Sequence, residues 1–119
     1  NAGSEAYVLK GIGLSDRATS VVKYRCRIDT TIPAGGFFLF WGGTGVVNPN
    51  NHMGFNLSAD AANQEVIYLF DSNSVTIDSI MYYKYPEALV TNKSFGRSPD
   101  GSETWKQQTS PTPGMANKE

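Results

Sequence analysis

The strongest hydrophobic pattern in this chain covers residues 65–83, with the sequence EVIYLFDSNSVTIDSIMYY. It has two apolar runs separated by residues 71–74 (DSNS), whose side chains can hydrogen-bond nearby backbone and therefore favour a turn. Side chains alternate between the two faces of a strand, and the first run is apolar on both faces. We therefore predict a β-hairpin in the middle of a sheet, with the rest of the chain packed around it.

A second pattern, with a period of two, covers residues 21–29. Apolar and basic positions alternate in it. The apolar residues are Val22, Tyr24, Cys26 and Ile28, and the basic residues are Lys23, Arg25 and Arg27. This alternation predicts a half-buried strand with one face in water. Further short strands are predicted at 7–9, 37–41, 53–57, 93–96 and 104–107, with one helical turn within 58–64.

The chain shows no helical pattern of ordinary length, and Gly- and Pro-containing turns separate its strands. This organisation predicts an all-β fold, an antiparallel β-sandwich formed by one domain that covers residues 1–119. No apolar run approaches the length needed to cross a membrane.

Composition and candidate chemistry argue against catalysis. The formal net charge is -1, so no bulk attraction to nucleic acid is expected. Cys26 is the single cysteine, which excludes an internal disulfide, and its strand position predicts a buried thiol. His52 is the single histidine and has no adjacent nucleophile motif. We predict no enzymatic activity, no cofactor and no metal site, and we interpret Asp78 as marking a β-bulge.

Five segments occur in a distinctive order along most of the chain: 9–16 (LKGIGLSD), 32–37 (IPAGGF), 55–58 (FNLS), 94–101 (SFGRSPDG) followed by Trp105, and 112–114 (TPG) followed by Asn117. In order and spacing they resemble the lamin-tail domain, an immunoglobulin-like sandwich of bacterial secreted and surface proteins and of nuclear lamins. The chain departs from the family's pattern at Ile12, where an aromatic residue is usual.

The resemblance implies an immunoglobulin-like sandwich that serves as a non-catalytic accessory or interaction module of a secreted or surface bacterial protein. Its location would be extracellular or at the cell surface, with a nuclear one as the weaker alternative. The family's first strand ends at an Asn that Asn1 resembles, so that strand would lie outside this chain. Its position could then be filled by strand exchange or by a dimer, and the partner would be a protein or a neighbouring domain. The resemblance also implies a structural motif formed by Arg97, Asp100, Gly101 and Trp105.

Two residue sets are candidate partner surfaces. The basic face Lys23, Arg25 and Arg27 could follow phosphates, although a solvated sheet face explains the same pattern. The aromatic residues could form a platform for sugar or protein, although core packing explains many of them; the candidates are Trp41, Tyr82, Tyr83 and Tyr85. A carbohydrate- or nucleic-acid-binding module is therefore the alternative function.

Overall fold

The computed structural model describes residues 1–17, 22–45 and 50–118, and in this part of the chain every regular element is a short strand or a 3₁₀ turn. The strands are β1 Tyr7–Val8, β2 Gly13–Ser15, β3 Tyr24–Arg25, β4 Thr31–Ile32, β5 Ile67–Phe70, β6 Thr76–Ile80, β7 Ser94–Arg97 and β8 Trp105–Gln108. The 3₁₀ turns are Ala61–Asn63, Tyr82–Lys84 and Pro86–Leu89. The prediction of an all-β chain is confirmed.

All strand pairs are antiparallel, and the strands form three sheets. The largest has four strands in the order β3-β2-β5-β6, while β1 pairs with β4 and β7 pairs with β8. These antiparallel sheets are consistent with a β-sandwich. None of the helices described has the length and apolar character required to span a bilayer.

The predicted hairpin is present as β5 and β6, but only β5 lies inside the sheet. The prediction that both strands sit mid-sheet was wrong for β6, which pairs with β5 alone and forms the edge. Thr76, Ile77 and Ser79 are accordingly exposed. The continuous apolar run of β5 correctly predicted a buried strand. β6 contains polar residues between its apolar ones, and such a strand can lie at the edge of the sheet, where polar side chains stay in contact with water.

The pairing of β5 with β6 is irregular next to Asp78. Leu69 pairs with Asp78 and Phe70 with Thr76, so Ile77 has no opposite residue in the register. An extra residue on one strand is the signature of a β-bulge, as predicted for this position. The Asp78 carboxylate also accepts a hydrogen bond of 2.8 Å from the Ser79 N–H.

The main core lies where β2 and β3 meet the segment 37–57. Its buried members are Leu9, Ile12, Leu14, Tyr24, Cys26 and Phe55. Partly buried residues packed against them are Ile28, Ile32, Phe38, Phe40, Met53 and Leu69. Cys26 is 2% exposed, which confirms the predicted buried thiol.

Several predicted strands are shorter than expected or replaced by irregular backbone. In 21–29 only Tyr24–Arg25 is a strand, although the alternation of buried and wet positions holds; Val21 lies outside the described residues. Segments 37–41 and 53–57 contain no strand, because single hydrogen bonds replace a ladder there. The Trp41 N–H donates to the Asn51 carbonyl at 2.7 Å, and the Met53 N–H donates to the Trp41 carbonyl at 2.8 Å.

The turn predicted within 58–64 is present as the 3₁₀ turn Ala61–Asn63. Asp60 is its N-cap residue, and the Asp60 carboxylate accepts a hydrogen bond from the Ala62 N–H at 2.9 Å. A carboxylate at this position satisfies a donor that the turn itself leaves unpaired.

Candidate binding groove

An apolar cavity of about 1120 Å³ opens beside β6. We call it the β6 groove and define it by four consecutive residues of β6 together with facing residues from other elements: Ile77, Asp78, Ser79, Ile80, Leu69, Val90, Phe95 and Trp105. Its volume lies just above the usual range for small-molecule pockets, about 300–1,000 Å³. The groove is therefore large enough for a segment of polypeptide.

The groove lining is almost free of charge. Its charged side chains are Asp78 and Arg97, which form an ion pair with each other. The remaining surface is mainly aliphatic and aromatic, so a charged ligand would lose hydration here without gaining a partner.

The outer edge of β6 borders the groove. Ile77, Asp78, Ser79 and Ile80 all line it, although successive side chains of a strand point to opposite faces. Both faces of one strand can meet the same cavity only along the strand's edge. Apart from the ladder to β5, the hydrogen bond from Ser79 N–H to Asp78 is the only one recorded for the β6 backbone in the described ranges. The edge therefore presents backbone groups without protein partners.

Arg97 connects this edge to the pair β7–β8. Its Nη2 donates to both carboxylate oxygens of Asp78, at 2.8 and 2.9 Å. Its Nη1 donates to the Ser102 carbonyl at 2.6 Å, and the guanidinium lies 4.6 Å from the centre of the Trp105 ring. A planar guanidinium suits this combination, because it can bind a carboxylate bidentately and stack on an aromatic ring together.

Residues of the motif near the C-terminus meet around β7. The Asn117 Nδ2 donates to the Arg97 carbonyl at 2.7 Å, and the Asn117 N–H donates to Asp100 at 3.2 Å. A Cβ on Gly96 would lie 2.7 Å from the Asn117 Nδ2, so only glycine allows this approach. Gly101 has a φ of +77°, which glycine adopts without strain. Trp105 stacks on Phe95 with ring centres 5.8 Å apart.

The predicted basic face is largely occupied by contacts within the chain. Lys23 Nζ lies 2.6 Å from Asp16 and 5.4 Å from the centre of the Phe55 ring. Arg25 donates to the Gly11 carbonyl at 2.7 Å and to the Ser74 hydroxyl. Arg27 is exposed.

The predicted aromatic platform does not include Tyr82 as a surface residue, because Tyr82 is only 9% exposed. Its hydroxyl donates to the Ser58 carbonyl at 2.8 Å and lies 3.0 Å from the Glu65 carboxylate. Burial, followed by the hydrogen bond and the charge of Glu65, raises the pKa of Tyr82 well above its usual value. Trp41 is 52% exposed, Tyr83 is half-buried, and Tyr85 packs on Phe95 at 5.1 Å.

His52 is half-buried and pairs through its backbone with Trp41. Across the described ranges, no group of three or more His, Cys, Asp or Glu residues is placed so that it could hold a metal ion.

The β6 groove was not found from the sequence. Its walls come from every strand except β3 and from connecting segments that include Leu9, Ile12, Phe40 and residues 57–59 and 88–91, which meet only in the folded chain.

We compared the chain with protein-family models, with curated proteins and with solved structures, and none of them matches it. The function must therefore be argued from the site itself.

Proposed function

We propose that this chain is an immunoglobulin-like β-sandwich of the lamin-tail type that acts as a non-catalytic module and binds another protein. Its setting is a secreted or cell-surface bacterial protein, to which the module contributes protein–protein or surface attachment. The family assignment rests on the sequence resemblance. The binding role rests on the β6 groove.

The β6 groove carries this proposal because it is a large apolar cavity beside an unpaired strand edge. Apolar surface left in water costs about 25 cal/mol per Å², so covering it favours association. Exposed sheet edges are also common templates for pairing with other chains. Both properties favour a protein ligand.

The cluster at β7 supports the family assignment. Arg97 and Asp100 belong to one segment of the sequence resemblance and Asn117 to another, and the fold brings Asn117 into direct hydrogen bonds with both. Trp105, from the same motif, stacks against the Arg97 guanidinium. Such contacts are expected if the residues of the motif stabilise one another's positions in the fold.

The alternative, a nucleic-acid- or carbohydrate-binding module, has less support from the contacts. Two of its three basic side chains, Lys23 and Arg25, are engaged within the chain, and Tyr82 of its aromatic set is buried. We therefore prefer the protein-binding module.

A photo-crosslinking amino acid at position 77, in the natural parent protein, tests this function. Position 77 lines the groove, whereas position 75 is on the same hairpin and equally exposed, which makes it the matched control. We expect a protein adduct from position 77 and none from position 75. Adducts with nucleic acid or glycan, or no difference between the two positions, would contradict the proposal.

A further inference from the structure

We infer that the β6 groove binds an uncharged, extended segment of a partner protein, which pairs with the outer edge of β6 as an added strand. This inference rests on the proposed protein-binding function and specifies its ligand. Two properties of the groove lead to it, its unpaired strand edge and its lack of net side-chain charge, and the length of that edge sets the size of the ligand.

The unpaired edge selects polypeptide over other apolar ligands. An added strand carries N–H and C=O groups at the same spacing as the β6 backbone. Each unpaired N–H or C=O group of the β6 edge can therefore form a hydrogen bond with the added strand. An acyl chain or other hydrocarbon would fill the cavity but would leave the β6 backbone groups without hydrogen bonds and away from water. Burying such a group without a partner is unfavourable, because its lost hydrogen bonds to water are not replaced.

The charges of the lining select an uncharged segment. Asp78 and Arg97 are the charged side chains of the lining, and they neutralise each other. A Lys, Arg, Asp or Glu directed into the groove would compete with that pair or remain unpaired. The inward side chains of the bound segment are therefore apolar.

The length of the edge sets the size of the segment. β6 has five residues, and a strand rises about 3.3 Å per residue, so an added strand of five to seven residues would cover the edge. Because successive residues of that strand face opposite sides, its inward positions alternate with positions directed elsewhere. The ligand is therefore a short segment with apolar residues at every second position.

A synthetic peptide tests this pairing directly. The probe is the capped heptapeptide Thr-Val-Thr-Val-Thr-Val-Thr, titrated into the full chain carrying Trp41→Phe, so that Trp105 at the groove is the remaining tryptophan. We expect a saturable change in Trp105 fluorescence. A peptide with the central Val replaced by Lys should bind about tenfold more weakly or worse.

A second version of the peptide isolates the backbone bonds. Ester links in place of its inner amides keep the side chains and the extended shape but remove the N–H donors. We expect binding to weaken by about tenfold or more, since several backbone hydrogen bonds are lost. Equal binding of the ester and amide peptides would overturn the inference in favour of a purely apolar ligand such as an acyl chain.

Two protein variants locate the site. Ile77→Lys places a charge at the groove and should abolish binding, whereas Val75→Lys adds the same charge to the same hairpin outside the groove and should leave binding within about twofold. Both positions are exposed, at 47% and 59%, so both variants should fold. Equal effects of the two variants, or no saturable binding, would overturn the inference.

The oligomeric state provides the remaining outcome. A dimer of the unmodified chain that Ile77→Lys converts to monomer would show that a second copy covers the groove, which also overturns the inference. Failure of the peptide series while crosslinking at position 77 still captures a protein would refute the added strand and leave the proposed function standing. Failure of both would refute the two together.

Discussion

The main core and the β6 groove are both apolar and adjoin each other, because the buried core residues Leu9, Ile12 and Leu14 also line the groove. On one side Phe38 and Met53 pack over the core, and Phe55 is buried there. On the groove side nothing in the described chain covers Ile77 and Val90, which stay about half exposed. The comparison shows that an apolar pattern predicts which residues avoid water. It does not predict whether they are buried by their own chain or remain exposed for a partner.

The largest expected effect contrasts one residue from each region. Phe55→Ala should lower the free energy of unfolding by about 3–5 kcal/mol, because it leaves a cavity in a closed core. Val90→Ala should cost less than about 1 kcal/mol, because Val90 has few contacts to lose. Urea denaturation followed by circular dichroism gives both values. Similar costs for the two variants would show that the groove is as well packed as the core.

The next effect concerns Arg97, which joins the β6 edge to β7–β8. Arg97→Ala should cost about 1–2 kcal/mol, because it removes bonds to Asp78 and to the Ser102 carbonyl. The ion pair itself is partly exposed, so a double-mutant cycle with Asp78→Ala should give a coupling of only about 0.5–1 kcal/mol. A coupling near zero would mean that Arg97 acts through Ser102 and Trp105 alone.

A smaller effect is expected at alkaline pH, from Tyr82. Its folded pKa lies above the unfolded value near 10, so the unfolded chain loses this proton first as pH rises. Stability from this group is therefore complete below pH 10 and falls above it, by up to about 1.4 kcal/mol per pH unit. Tyr82→Phe should make that decline shallower. Tyr24, whose pKa is also raised by burial, remains in both proteins and accounts for the decline that is left.

The smallest effects concern the wet face of β3. Arg25→Ala should lower the free energy of unfolding by about 1 kcal/mol, because Arg25 is hydrogen-bonded to Gly11 and Ser74, whereas Arg27→Ala should change it by less than about 0.5 kcal/mol.

The same three basic residues allow a test of nucleic-acid binding. Retention of the chain on immobilised DNA at low salt should be weak, and it should not change when Lys23, Arg25 and Arg27 are all replaced by Ala. Salt-dependent retention that the triple variant loses would support the nucleic-acid alternative.

The sequence predicted local features well, because each depends on residues that are close in the chain. The turn at 71–74, the alternation around Cys26, and the bulge at Asp78 all follow from neighbouring side chains. Strand bounds were less accurate. The run 37–41 has strong β-forming residues, but within the described part of the chain its pairing is limited to the single bridge between Trp41 and His52.

What the sequence determined by itself is an antiparallel all-β chain with a buried Cys26 and a hairpin at 65–83, because periodicity reports which side chains avoid water. Only the tertiary structure decided that β6 lies at the sheet edge, that Tyr82 is buried against Glu65, and that an apolar groove remains open beside β6. These features depend on which distant segments meet. Hydrophobicity drives burial without specifying the partner, so they could not be predicted from the pattern alone.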